Sequence, residues 1–146
     1  MKKIIGITLI LFFCGGFFYY YMKSDKKLLN DFANQIVDKS ISIDSIVENS
    51  VKYTEKGRQT SLFVLNTIRQ EYKKEGEQIV IYSAEEYQNN KNNSEIKLKD
   101  GERLYYIKFN NEIILPFIIN DESKIIVLLV LTKGKGGTLT ESRSDE

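Results

Sequence analysis

Histidine and tryptophan are absent from these 146 residues, and cysteine and proline occur once each. Without histidine there is no imidazole general base, no Ser-His-Asp or Cys-His pair and no usual zinc site. The lone Cys14 forbids an intramolecular disulfide, so a hydrophobic core must hold the fold. An excess of either charge is missing too: 21 Lys and Arg stand against 20 Asp and Glu, a net charge of +1. That balance argues against a nucleic-acid partner. The length allows one domain of ordinary size.

What is present first is a long uncharged run. It extends from Ile4 to Met22, between Lys2-Lys3 and Lys23. As a helix it reaches roughly 28 Å, close to the roughly 30 Å of a bilayer's hydrocarbon core. Ile4, Ile5, Ile7, Leu9, Ile10 and Leu11 make its first half aliphatic, and Tyr19, Tyr20 and Tyr21 form an aromatic belt at its far end. Two other readings stand beside an uncleaved anchor. Cys14-Gly15-Gly16 offers a signal-cleavage site, and Leu11-Phe12-Phe13-Cys14 shares a leucine and a cysteine with a lipobox. Length and the tyrosine belt favour the anchor. Its very short amino-terminal flank suggests a signal-anchor with the domain outside, in the periplasm or on the cell surface. Asn92-Asn93-Ser94 matches a glycosylation sequon, a three-residue pattern that chance supplies often.

The chain therefore divides into an anchor or signal segment (1–24), an α+β domain (25–133) and a flexible polar tail (134–146). Leu28, Leu29, Phe32, Ile36 and Val37 predict a helix over 25–37. Ser45-Ile46-Val47-Glu48 fits a capping box opening a short second helix that ends near Tyr53, and Gly57 breaks the chain after it. Leu62, Leu65, Ile68 and Tyr72 predict a third helix over 59–74. The period then falls to two. Strands are predicted over 78–83, 95–99, 103–109, 112–119 and 124–132, the last four joined by short turns, Asp100-Gly101 among them, as an antiparallel meander. Residues 84–94 read as a polar loop. Pro116 cannot donate to a ladder, which predicts that its strand lies at an edge or bulge. Ile125 to Leu131 is apolar on both faces, which predicts a strand covered on both sides.

The strand texts Tyr105-Tyr106-Ile107-Lys108-Phe109 and Leu115-Pro116-Phe117 to Lys124-Ile125-Ile126, preceded by helices, resemble small exported bacterial proteins of cystatin-like, NTF2-like architecture. The resemblance covers about residues 25–133 and implies some three helices on a curved antiparallel sheet of four to five strands. The long third helix would lie in the concave face. Such families include enzymes, carriers, scaffolds and inhibitors, so the likeness selects no activity.

Chemistry-bearing patterns are sparse. Gly134-Lys135-Gly136-Gly137-Thr138 lacks the G-x-x-x-x-G-K-[ST] order of a phosphate loop. Glu85-Glu86 and Asp121-Glu122 fall in loops, where solvent levels the pKa differences that acid–base catalysis needs. No calcium-loop spacing, metal site or cofactor motif is present. The expectation is a membrane-anchored, extracytoplasmic, non-enzymatic interaction module with a protein partner or a second copy. Its contact face would be the outward set Ile126, Leu128 and Val130 of the last strand. The alternative is a carrier or sensor holding a small apolar ligand between the third helix and the sheet, walled by Phe63, Tyr105, Phe109 and Phe117.

Overall fold

Leu29, Phe32, Ala33 and Ile36 recur at helical spacing, and all four are buried on one stripe of α1, residues 22–37 of the computed structural model. The structure describes residues 20, 22–72, 78–87, 96–131 and 140–146, the side chains of 130, 131, 140 and 141 excepted. Two further helices follow, α2 (Ile43–Ser50) and α3 (Glu55–Glu71). Arg69 of α3 donates to the end of α1, from Nε to the Ile36 carbonyl at 2.6 Å and from Nη2 to that of Gln35 at 3.1 Å. Those carbonyls are among the acceptors that a helix C-terminus leaves without intrahelical donors.

The sheet consists of β1 (Val80–Ser83), β2 (Arg103–Lys108), β3 (Ile114–Ile119), β4 (Ile125–Leu131) and β5 (Thr140–Arg143), with the one-turn helix α4 (Ala84–Tyr87) after β1. The strands lie in chain order, each antiparallel to the next. The protein is thus α+β, with four helices and a five-stranded antiparallel sheet among the described residues. Tyr105, Ile107, Phe109, Phe117, Ile119, Ile125 and Val127 line the inner face and merge with the buried residues of α1, α2 and α3 into one core. Phe32 of α1 meets Phe117 edge-on, with ring centroids 5.8 Å apart. The long helix expected in the concave face packs on β4 and β5, and α1 lies against β2 and β3.

One ion pair fixes α1 on β2. The Asp25 carboxylate, almost wholly buried, receives Arg103 Nε at 2.5 Å and the Tyr105 hydroxyl at 2.9 Å. Burial, and then this bond to Asp25, push the Tyr105 phenol far above its ordinary pKa, so it remains a donor at every physiological pH.

Several expectations are corrected. Residues 96–99 form no strand, because the β2 edge they would take is occupied by β1. They cross the outer face instead, where Ile96 and Leu104 pack on Ile118, Ile126 and Leu128. Ile126 and Leu128 are each only 1% exposed, so this chain covers the face that was expected to meet a partner. The side chain of Val130 lies outside the described residues. The second helix begins two residues early, capped by Ser42, because Glu48 is drawn to the Tyr53 hydroxyl (2.6 Å) and Arg58 Nε (3.1 Å) rather than to a capping box. The polar stretch after β1 opens with α4, in which Glu86 accepts from the Ser83 N–H at 2.6 Å and pairs with Lys26 at 2.7 Å.

The largest correction concerns the tail. Thr140–Arg143 is a strand, and Ser144 after it is fully buried. The Ser144 N–H donates to the Val127 carbonyl at 3.0 Å, and its hydroxyl donates to that of Lys52 at 2.7 Å. Its own carbonyl accepts from Thr54 N–H at 2.8 Å. Gly57, expected to break the chain between helices, sits in the first turn of α3 because a Cβ there would lie 1.8 Å from the Ser144 oxygen. Arg143 is buried beside it on the outer face, bonded to Glu102, to Asp145 (2.9 Å) and to the Lys97 carbonyl (3.1 Å). These contacts hold 96–102 down over the sheet.

Among the described residues no helix is long and apolar enough to cross a membrane. The run expected to do so, 4–22, lies outside them except for Tyr20 and Met22, as do Cys14, Tyr19, Tyr21, the sequon and the glycines at 134–137.

Two outcomes follow from this packing. Leu128→Glu places a charge in the covered outer face and should destabilise the domain by roughly several kcal/mol in denaturant unfolding; a folded variant that merely loses self-association would contradict the covering. For Glu102 and Asp145, burial is the largest single influence and raises the carboxyl pKa, but hydrogen bonds and charge attraction from Arg143 together with bonds from Lys99 outweigh it and leave both lowered. A lowered folded-state pKa stabilises above the unfolded value and is lost as pH falls through the folded one. Thermal midpoints should therefore hold above about pH 5 and drop below about pH 4. In Arg143→Met that acid dependence should shrink.

Candidate functional site

Proline has no backbone N–H, and in this sheet that omission has a place. The Phe109 N–H bonds the Ile113 carbonyl at 2.9 Å, and the Asn120 N–H bonds that of Lys124 at 3.0 Å. Because bonded and non-bonded pairs alternate, the first of these bonds gives Tyr106 opposite Pro116 a non-bonded position. The donor side of residue 116 thus faces β4. The β3–β4 ladder stops there: Phe117 opposite Val127 is its last pair. Beyond that point β4 pairs with β5, from Leu128 opposite Arg143 to Leu131 opposite Thr140. The expectation of an edge is corrected in an instructive way. Strand β3 is the middle one of five, but its first half has neighbours on one side only.

Where the two strands part, a cleft of about 290 Å³ opens under α3. Ile113, Ile114 and Leu115 line one side, Leu128 and Leu129 the other, and Phe63, Val64, Thr67 and Ile68 of α3 cover it. Ile114 and Leu128 belong to the outer face of the sheet, whereas Leu115 and Leu129 belong to the inner face. Lining by both faces means that the cleft enters between strands. Its polar groups are few. Thr67 donates its hydroxyl to the Phe63 carbonyl at 2.8 Å, leaving the carboxylates of Glu71 and Glu112 at the wall. Both are exposed. The arrangement can hold an apolar group; it places no nucleophile beside a base. Among the described residues no group of three metal-ligating side chains exists.

The structure separates the four residues proposed as a pocket wall. Phe63 is 62% exposed and lines the cleft. Tyr105, Phe109 and Phe117 are buried in the core, where Phe109 and Phe117 meet edge-on at 6.5 Å between centroids. Alternation puts Tyr105 and Phe109 on one face of β2, but only the tertiary arrangement tells which helix covers which strands. Of the residues that sequence reasoning missed, Ile114 and Leu115 stand beside Pro116, which marked the ladder defect, whereas no local pattern signalled Thr67 and Glu71 of α3.

A second aromatic group lies on the outer face. Tyr87 stacks on Tyr106 with centroids 4.1 Å apart, and Tyr82 stands 6.1 Å from Tyr87. These rings pack on one another across β1, α4 and β2. Comparison with known proteins adds no identity: no family model, no curated protein and no solved structure matches the chain.

The two kinds of phenylalanine should respond differently to truncation. Phe117→Ala should cost about 3–5 kcal/mol in equilibrium unfolding. Phe63→Ala, at the open cleft, should stay within about 0.5 kcal/mol.

Proposed function

We propose that this chain is a membrane-anchored binding domain, displayed on the extracytoplasmic side, that holds a small apolar ligand in the cleft under α3. The reading includes no catalytic chemistry and no cofactor. The observation that carries it is the interstrand cleft: apolar walls from two strands and a helix, left open beside an exposed Phe63. Small-molecule sites are concave, mostly apolar and furnished with a few polar groups. The cleft stands near the lower end of their roughly 300–1,000 Å³ range, which suits a compact ligand.

The anchor is Ile4 to Met22. Tyr20 is helical and α1 begins at Met22, the last residue of the run, which fits an anchor placed close to the domain. Helices followed by an antiparallel meander suit the cystatin-like, NTF2-like reading, with α1 over the middle strands. Phe63 at the cleft mouth also supports the interaction-module reading, in which a protein partner or a second copy inserts an apolar side chain there.

The full chain in lipid nanodiscs tests the proposal. Added hexanol should shift the amide resonances of Val64, Ile68 and Leu129, and Thr67→Trp, which fills the cleft, should abolish the shifts. Unchanged resonances at saturating hexanol would refute a ligand cleft. Membranes extracted with carbonate should retain the chain with Met1 intact; a mature terminus at Phe17, or a diacylglyceryl group on Cys14, would replace the anchor by a cleaved signal or a lipoprotein.

A further inference from the structure

Electrostatics at the cleft mouth narrow the ligand. Glu71 is the last residue of α3, and a helix C-terminus carries partial negative charge from its unpaired carbonyls. A carboxylate there is repelled by the helix that bears it. Glu112, in the turn before β3, adds a second negative group to the same wall. Among the described residues neither carboxylate has an ion-pair or hydrogen-bond partner for its side chain. Two cations near the cleft among the described residues are committed elsewhere. Arg69 serves the end of α1, and Lys108 Nζ bonds Asn111 at 2.6 Å. No basic side chain lines the cleft among the described residues. An acidic residue set against its own helix, with no compensating partner among the described residues, is the kind of local conflict that function explains.

We infer that the ligand is a cationic amphiphile, an apolar body seated between β3 and β4 with an ammonium head at Glu71 and Glu112. This rests on the reading of the cleft as a binding site. The apolar walls take the body out of water, while the two carboxylates and the helix terminus attract the head. An anionic amphiphile of the same length meets the same walls and the opposite force.

Three probes of equal length separate these contributions: hexylamine, hexanol and hexanoate, titrated into the full chain in zwitterionic nanodiscs, with empty nanodiscs as the partition control. The shifts of Val64, Ile68 and Leu129 report occupancy. Hexylamine should bind about tenfold more tightly than hexanol, with hexanoate weakest, and the order should compress in high salt. In the double variant Glu71→Gln, Glu112→Gln the amine-to-alcohol affinity ratio should fall to near one. Glu71→Gln alone should raise the thermal midpoint, since it relieves the repulsion at the helix end. Equal affinities, or a preference for hexanoate, would overturn the inference and leave the cleft as an apolar site. Silence from all three probes would overturn the cleft reading itself.

Discussion

A strand inside a sheet must supply backbone donors to both neighbours, and Pro116 withholds one on the side of β4. Much of the molecule is arranged around that missing bond. Strand β4 is held by β3 through only three registered pairs, Phe117–Val127 to Ile119–Ile125, and its second half turns to β5. The interval between the departing strands is the cleft, and α3 roofs it instead of lying over the middle of the sheet. The middle is filled by α1, whose Phe32 packs on Phe117 next to the proline.

Two buried charged groups give this arrangement its orientation. Asp25 joins α1 to β2 through Arg103 and Tyr105, and Arg143 joins β5 to the 96–102 segment through Glu102. Buried ion pairs add little net stability against apolar substitutes, yet losing one partner costs about 3–5 kcal/mol. Their contribution is therefore to geometry: they penalise any packing in which the helix or the covering segment slips. Both groups bridge elements far apart in the chain, 78 residues for Arg103 with Asp25 and 41 for Arg143 with Glu102.

Local pattern revealed α1, α3, the inner faces of β2 and β4 and the Asp100-Gly101 turn, where Gly101 adopts φ +79°. Periodicity and turn chemistry are properties of neighbouring residues, and these elements depend on little else. The stretch 140–146 was illegible for the converse reason. Arg143 and Ser144 are polar, and polar residues are buried only when distant groups satisfy them. Lys52, Thr54, Glu102 and Val127 do so here. Gly57 misled in the same way: a glycine kept for close approach by Ser144 reads locally as a helix breaker. The cleft was half legible. Pro116 marked a defect in the ladder, but not that β4 would leave at that point.

The burial of Ser144 also bears on the order in which the fold can be made. Chains emerge from the ribosome amino end first, and the residues that bond Val127, Lys52 and Thr54 come last among those described here. Until 140–146 arrive, the β4 edge is unpaired, the first turn of α3 has an empty notch at Gly57, and Arg143 is missing from beside Glu102. An apolar strand with an open edge is the usual template for wrong pairing. Completion through such distant contacts is slow compared with helix formation. The nascent domain thus passes through a stage in which most of its core residues exist and its most apolar strand lacks a partner, a stage at which a chaperone has a defined surface to shield.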